Sequence, residues 1–201
     1  MILGIDVSEN NGYVDWQAVA DAGVKFAFIR CSYGKSSEDE YFRRNVDAAH
    51  EVGIMCGAYV YSYALTPEAA RIEAQFAKEV IENAGCLLEL PVMFDMEDAD
   101  GYKRRHDFDF SAENITAICS AFLEEIAPLD CGVYASESWL NDYIDWQGLG
   151  CAVWNAAWVN GAQYGLPAST NNDGIGGYCW QFTDQLIING KQFDGNILYV
   201  D

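Results

Sequence analysis

Proline and histidine are scarce in this chain, with four and two residues among 201, and basic side chains number 11 against 31 acidic ones. With so little proline, no low-complexity run and 51% hydrophobic residues, the composition excludes a disordered polymer and fits one compact domain over residues 1–201. The two histidines, His50 and His106, stand far apart with no H-x-H or C-x-x-C spacing nearby, so no metal site is expected. Both read as solvated helix or loop residues. The shortage of cations leaves a formal net charge of -20, which repels phosphate backbones and anionic headgroups and argues against nucleic acid or a membrane as partner. No apolar stretch nears the roughly 18 to 20 residues that a membrane span needs. The opening residues Met1-Ile2-Leu3-Gly4-Ile5-Asp6 lack a basic segment, a long apolar core and a small-residue cleavage site, so the chain is expected to be made in the cytoplasm without a signal peptide. Seven cysteines, odd in number, widely spaced and mostly in apolar runs, are expected as reduced core residues.

What is present is a recurring strand signal. Apolar runs rich in β-branched and aromatic residues occur at Ile2 to Asp6, Val24 to Cys31, Ile54 to Ser62, Pro91 to Asp95, Cys131 to Ala135, Cys151 to Asn155, Tyr178 to Phe182 and Gly195 to Val200. They are apolar on both alternating faces, as strands covered on both sides are. Helical spacing separates the first six. Ile115, Ile118, Cys119, Phe122, Leu123 and Ile126 draw one stripe, started by Ser111 as N-cap and stopped by Pro128. Thr66-Pro67 opens another helix, with Ile72, Phe76 and Val80 as its buried stripe and Asn83 and Gly85 at its end. Ser37 to Glu40 has capping-box spacing before Phe42, Val46 and Ala49, and shorter helices fit Asp15 to Ala22 and Ser136 to Tyr143. After Cys151 no helix fits, and Asn189-Gly190 reads as a hairpin turn. Five strand–helix alternations followed by three strands predict an α/β fold, an irregular TIM-like (βα)5β3 barrel. A flat doubly wound sheet is the rival, and no G-x-G-x-x-G or P-loop supports it.

Working residues of such a barrel sit at the C-terminal strand ends. The fourth run ends Phe94-Asp95-Met96-Glu97-Asp98. Strand alternation points Asp95 and Glu97 the same way, with Cα atoms about 6 to 7 Å apart. Asp6 ends the first strand, Asp194 lies at the last, and closure would bring all four acids to one mouth. Like charges so close beside aromatic walls cannot all stay ionised, so at least one should keep its proton near neutral pH. A proton donor beside an anion is what cleavage of a glycosidic bond requires. Asp98 continues the acidic run as a solvated or supporting residue. Flat apolar surfaces for a sugar are available near strand ends in Tyr59, Tyr61, Tyr63, Tyr134, Trp154, Trp158 and Trp180, each of which could also be core. Gln181, polar in an apolar strand, either bonds a sugar hydroxyl or satisfies the barrel interior.

The order and spacing of several short segments resemble the glycoside hydrolase family 25 lysozymes, the muramidases of phage endolysins, bacteria and some fungi. The segments are Gly4-Ile5-Asp6-Val7-Ser8, Phe28-Ile29-Arg30 through Gly34, Asn45, Ala48-Ala49, Gly53, Gly57-Ala58-Tyr59-Val60-Tyr61, Asp95-Met96-Glu97, Gly132-Val133-Tyr134-Ala135, Trp154, Trp180-Gln181 and Asp194-Gly195-Asn196. The resemblance covers nearly the whole chain. It implies hydrolysis of the β-1,4 bond between N-acetylmuramic acid and N-acetylglucosamine in bacterial peptidoglycan, without a cofactor. It makes Glu97 the general acid/base and gives Asp95 the cationic intermediate or the acetamido group to manage, with Asp6 and Asp194 completing the catalytic cluster. Tyr61, Tyr59, Tyr134, Trp154, Trp180 and Gln181 become the expected substrate-binding set. Val60 stands where the family often has His or Phe, and Ala156-Ala157-Trp158 replaces its alanine, acidic residue and tyrosine.

Phage members of the family usually carry a wall-binding module after the barrel; here either that module is missing from this sequence or the enzyme works without one. With no leader and reduced cysteines, the resemblance implies a phage endolysin that reaches the cell wall after release. Two alternatives stand beside it. A family 18-like chitinase shares the D-x-E ending but wants an Asp at position 93, where this chain has Met. A catalytically silent glycan-binding barrel would keep the same acids.

Overall fold

The computed structural model describes residues 1–158 and 174–199, and the stretch 159–173 and the end of the last predicted strand, Val200, lie outside them. Nine strands are present among the described residues: β1 (Ile2–Val7), β2 (Phe26–Tyr33), β3 (Ser37–Glu38), β4 (Met55–Tyr61), β5 (Val92–Asp95), β6 (Cys131–Ser136), β7 (Ala152–Ala156), β8 (Cys179–Ile188) and β9 (Lys191–Leu198). Their order is β1-β9-β8-β7-β6-β5-β4-β2-β3, and β1 also pairs with β2. That extra pairing closes eight strands into a barrel. β1, β2 and β4 to β8 run parallel, while β9 is antiparallel to both β8 and β1. The eight-stranded barrel read from the sequence is therefore the observed one. Strand β3 is a two-residue addition at the rim, paired with Ser32 and Tyr33.

Side-chain alternation sorts the core into two layers. Ile5, Ala27, Ile29, Cys56, Ala58, Val92, Phe94 and Val133 face outward and pack under the helices, whereas Phe26, Phe28, Met93, Tyr134, Trp154, Cys179 and Leu198 fill the barrel. The interior fits because large residues meet small ones. A Cβ on Gly57 would lie 2.5 Å from the Phe28 ring, so only glycine lets that ring occupy the barrel axis.

The surrounding helices are α1 (Trp16–Asp21), α2 (Phe42–Glu51), α3 (Pro67–Ala84), α4 (Tyr102–Arg105), α5 (Ala112–Ile126), α6 (Glu137–Asp142) and α7 (Trp146–Leu149). Asp15, Thr66, Ser111 and Ser136 each cap a helix through a side-chain oxygen, as their sequence positions predict. Two expectations are corrected. Ser37 to Glu40 does not form a capping box, because Ser37 and Glu38 pair in β3, and the N-cap of α2 is Tyr41, which makes no side-chain cap bond. The capping box is instead at Ser8 and Asn11, on a turn of 3-10 helix over Glu9–Asn11. In α3, Ile72 is exposed, and the buried face runs through Ala70, Glu73, Ala74, Ala77, Val80, Ile81 and Ala84. Alanines let α3 lie close on α5 and β2, so the stripe is made of residues too small to stand out in the sequence.

The hairpin turn at Asn189-Gly190 is present, with φ of 49° and 76°, the positive pair that a two-residue turn matching the strand twist demands. It extends β8 and β9 well beyond their apolar runs, to Ile188 paired with Lys191. All seven cysteines are free thiols, four of them fully buried.

Candidate active site

The inward-facing positions carry the chemistry as the strands reach the barrel mouth. On β5, Met93 fills the interior and Asp95 has the same parity two residues later, at the strand's last position. On β1 the same rule places Asp6 inward between the outward Ile5 and Val7. Asp6 and Asp194 are direct partners across the β1–β9 ladder. Glu97 lies two residues beyond β5, and Asp95, Asp6 and Asp194 all feel its charge or impose theirs on it. The mouth therefore gathers the four acids that the sequence singled out.

Burial governs their protonation. Removal from water pushes Asp95 well above the ordinary carboxylate range, and the neighbouring Glu97 pushes it further. Its Oδ1 is buried and has no hydrogen-bond partner among the described residues. Burial likewise raises Glu97 to about 7, opposed by Lys103 and aided by Asp6, Asp100 and Asp98. Asp194 rises to about 8, through burial and the charge of Asp6, and its carboxyl donates a hydrogen bond to Asp6. Asp6 is raised by burial, against three hydrogen bonds that favour its anion. At neutral pH the mouth thus holds proton donors and anions together.

A polar chain runs through the barrel beneath the acids. Asp6 Oδ2 accepts from Gln181 Nε2 at 3.0 Å and Asn196 Nδ2 at 2.8 Å. Gln181 Oε1 accepts from the Tyr134 hydroxyl and from Trp158 Nε1, both at 3.0 Å, and Asn196 Oδ1 accepts from Trp154 Nε1 at 2.8 Å. Gln181 and Asn196 have both ends committed, so they orient Asp6. Gln181 resolves in favour of the barrel interior. Asn196, which sequence reasoning did not single out, was signalled as a polar residue two positions from Asp194 in an apolar strand.

The expected sugar-contact residues separate by depth. Tyr61 joins Tyr33, Tyr63, Glu9, Asn10, Arg30, Ala99 and Asp100 in lining a cleft of about 500 Å³ at the mouth. Tyr59 and Tyr134 lie deeper, both in ring contact with Trp154, which is buried and stacked on Phe28 as the floor. Trp180 is not at the mouth. It follows the outward parity of β8, is fully buried with Phe182 and Ile197, and spends its indole N–H on the Ala157 carbonyl. Adjacent strand residues cannot share a face, and Gln181 takes the inward one.

Two buried cations complete the site. Arg30, on β2, bonds Asp39 at 2.9 Å and Glu9 at 3.2 Å and lies over the Tyr33 ring. Lys103, on α4, donates from Nζ to the carbonyls of Ser62 and Glu97. Asp98 is neither catalytic nor free, since its carboxylate accepts the backbone N–H groups of Lys103 and Arg104. Arg30 was visible as a lone charge in an apolar strand, whereas Lys103 sits in a Lys-Arg-Arg run that reads as solvated surface.

Comparison with known proteins gives a consistent result. The family profile of Glycosyl hydrolases family 25 matches residues 5–191. Lysozyme M1 of Streptomyces globisporus is 27% identical over 96% of this chain and 65% of its own length. The autolytic lysozyme of Clostridium acetobutylicum is 24% identical over 93% of this chain and 52% of its own length. The chain spans less than two thirds of either relative. Among solved structures, the CTP1L endolysin superposes with a TM-score of 0.79 at 25% identity, covering 99% of this chain and 67% of that one. A family 25 glycosyl hydrolase from Bacillus anthracis superposes at 0.74 with 24% identity, covering 100% and 90%.

Proposed function

The chain belongs to glycosyl hydrolases family 25, and from that premise we propose that it is a muramidase, hydrolysing the β-1,4 bond between N-acetylmuramic acid and N-acetylglucosamine in bacterial peptidoglycan. The observation that carries the reading is the pairing of Glu97, raised to about 7, with the deeper Asp95 at the barrel mouth. Glu97 is less buried than Asp95 and close to half protonated at neutral pH, which suits a group that gives a proton and takes it back. Its proton passes to the glycosidic oxygen as the bond from that oxygen to the sugar carbon breaks. Asp95 faces the positive charge that develops on the carbon or orients the acetamido group beside it. Water then adds its hydroxyl to the carbon and returns a proton to Glu97. Asp6 and Asp194 shape the field around the pair, and Tyr61 and the cleft beside it receive the glycan.

We read residues 1–201 as one catalytic domain of endolysin type, acting on the cell wall and aided by a wall-binding module outside this sequence. Support comes from the lysozyme and endolysin names of its relatives. The family match gives the chitinase alternative no support, and nothing in the site favours a silent barrel. Digestion of purified peptidoglycan tests the reading: new reducing ends should form at muramic acid, and Glu97→Gln should slow their release by about 10²–10⁴-fold. A Glu97→Gln protein that clears walls as fast as the parent refutes the assignment. Cleavage of chitin in its place would restore the chitinase, and glycan binding without turnover the silent barrel.

A further inference from the structure

Lys103 is 1% exposed, and its backbone lies on the four-residue helix α4, outside the strands that build the mouth. A buried lysine is uncommon because its ammonium loses hydration, and burial does pull this one below its ordinary value. Its ammonium spans two strand ends. One bond reaches the Ser62 carbonyl just after β4, and the other, at 2.7 Å, reaches the Glu97 carbonyl beyond β5. The backbone N–H of Lys103 is held in turn by Asp98 Oδ1 at 2.7 Å, so the segment from Glu97 to Lys103 is tied back on itself. The carboxylates that face the ammonium are Asp95, Glu73, Asp98 and Glu97, from β5, from α3 and from the connecting turn. The Cys119 thiol on α5 also feels its charge. Glu73 is itself buried and accepts the Tyr63 N–H at 2.9 Å.

We propose that Lys103 is a positioning residue for the acid pair: it fixes the main chain of Glu97 by its carbonyl and supplies the buried positive charge that lets one carboxylate of the pair remain ionised. The proposal rests on the hydrolase reading above and adds to it a residue outside the four acids. The physical need is plain. Asp95 Oδ1 has no hydrogen bond among the described residues, and the groups facing Asp95 besides Lys103 are Glu97, Asp6 and the already paired Arg30. Those facing Glu97 are Lys103, Asp6, Asp100, Asp98, Asp95 and Asp194, with the phenols of Tyr61 and Tyr134 alongside. Every charged neighbour of Glu97 except Lys103 is an acid. Without this cation, both carboxylates would hold their protons to higher pH.

The test is the pH–rate profile of Lys103→Met and Lys103→Arg. Lys103→Met should lower kcat by about 10- to 100-fold with KM changed less than about threefold, and shift both limbs of the profile upward by about one pH unit or more. Lys103→Arg, which keeps the charge, should leave the limbs within about 0.3 unit of the parent. A merely structural lysine would lower activity or Tm without moving the limbs, and unmoved limbs in folded Lys103→Met overturn the proposal. If that variant does not fold, Lys103→Met/Glu73→Gln removes a buried charge of each sign and should show the same upward shift. Failure of both to fold would make Lys103 a core-building residue and overturn the proposal too. Carboxyl ¹³C NMR titration of Glu97 in parent and variants reads the same shift without turnover. A parent that releases no sugar ends while Lys103→Met still shifts Glu97 would sink the muramidase reading and leave this one standing.

Discussion

Asp6 and Asp194 face each other across the seam where the last strand meets the first, and the carboxyl of Asp194 donates its hydrogen to Asp6. Two acids placed as direct ladder partners would repel if both were ionised. One shared proton turns that repulsion into a bond, and the hydrogen bonds that Gln181 and Asn196 donate to Asp6 leave it on Asp194, whose value rises to about 8.

Stability should therefore fall as the solution becomes more alkaline. Asp6, Asp95, Glu97, Glu73 and Asp194 are all raised in the folded state, so below the ordinary carboxylate range their contribution is complete. Between that range and their folded values, the folded chain binds more protons than the unfolded one, and stability declines with rising pH. Thermal melts should give a Tm higher at about pH 5 than at about pH 8, with a shallower slope in Asp194→Asn. A Tm that climbs steadily from pH 5 to pH 8 would contradict the protonation pattern.

The same logic sets the descending limb of activity. Glu97 must carry a proton to act as acid, and its value is raised to about 7. Initial rates of peptidoglycan cleavage, plotted as kcat/KM, should bend near neutrality and drop about tenfold for each further pH unit. A rate flat to about pH 9 would exclude Glu97 as the donor.

Interior packing makes a prediction at a position that carries no functional group. Gly57→Ala would place a methyl 2.5 Å from the Phe28 ring and 2.9 Å from Leu90 Cβ. The expected loss is about 1–3 kcal/mol in urea denaturation, because neither neighbour can retreat within a filled barrel. Trimming the ring in Gly57→Ala/Phe28→Leu should recover part of it.

Helix α3 offers a paired control. Ile72→Ala should change stability by no more than about 0.5 kcal/mol, since Ile72 is exposed. Val80→Ala, on the buried face, should lose about 2 kcal/mol. Equal losses would mean that the helix is rotated from the position described.

The barrel was legible because a strand covered on both sides leaves an uninterrupted apolar run, and each acid at the mouth terminates or interrupts such a run. The turn at Asn189-Gly190 was legible for a local reason, since few residues tolerate two successive positive φ angles. Less was readable where a contact depends on parity or depth. Trp180 and Gln181 both looked suited to a sugar, yet alternation admits only one to the interior. Lys103 gave no signal, because its burial depends on where α4 folds back against β4 and β5. The capping spacing at Ser37 to Glu40 misled because Asp39, between them, is fully buried, binding Arg30 and the Tyr41 N–H.

The seam between first and last strands also governs when the catalytic mouth can exist. Asp6 and Asn196, its 2.8 Å partner, stand 190 positions apart, so Asp6 leaves the ribosome long before Asn196 does. A nascent chain still short of β9 carries Asp6, Asp95 and Glu97 but lacks Asp194 and the strand that pairs with both β8 and β1. Synthesis must therefore pass β9 before the cell making this protein holds an assembled site.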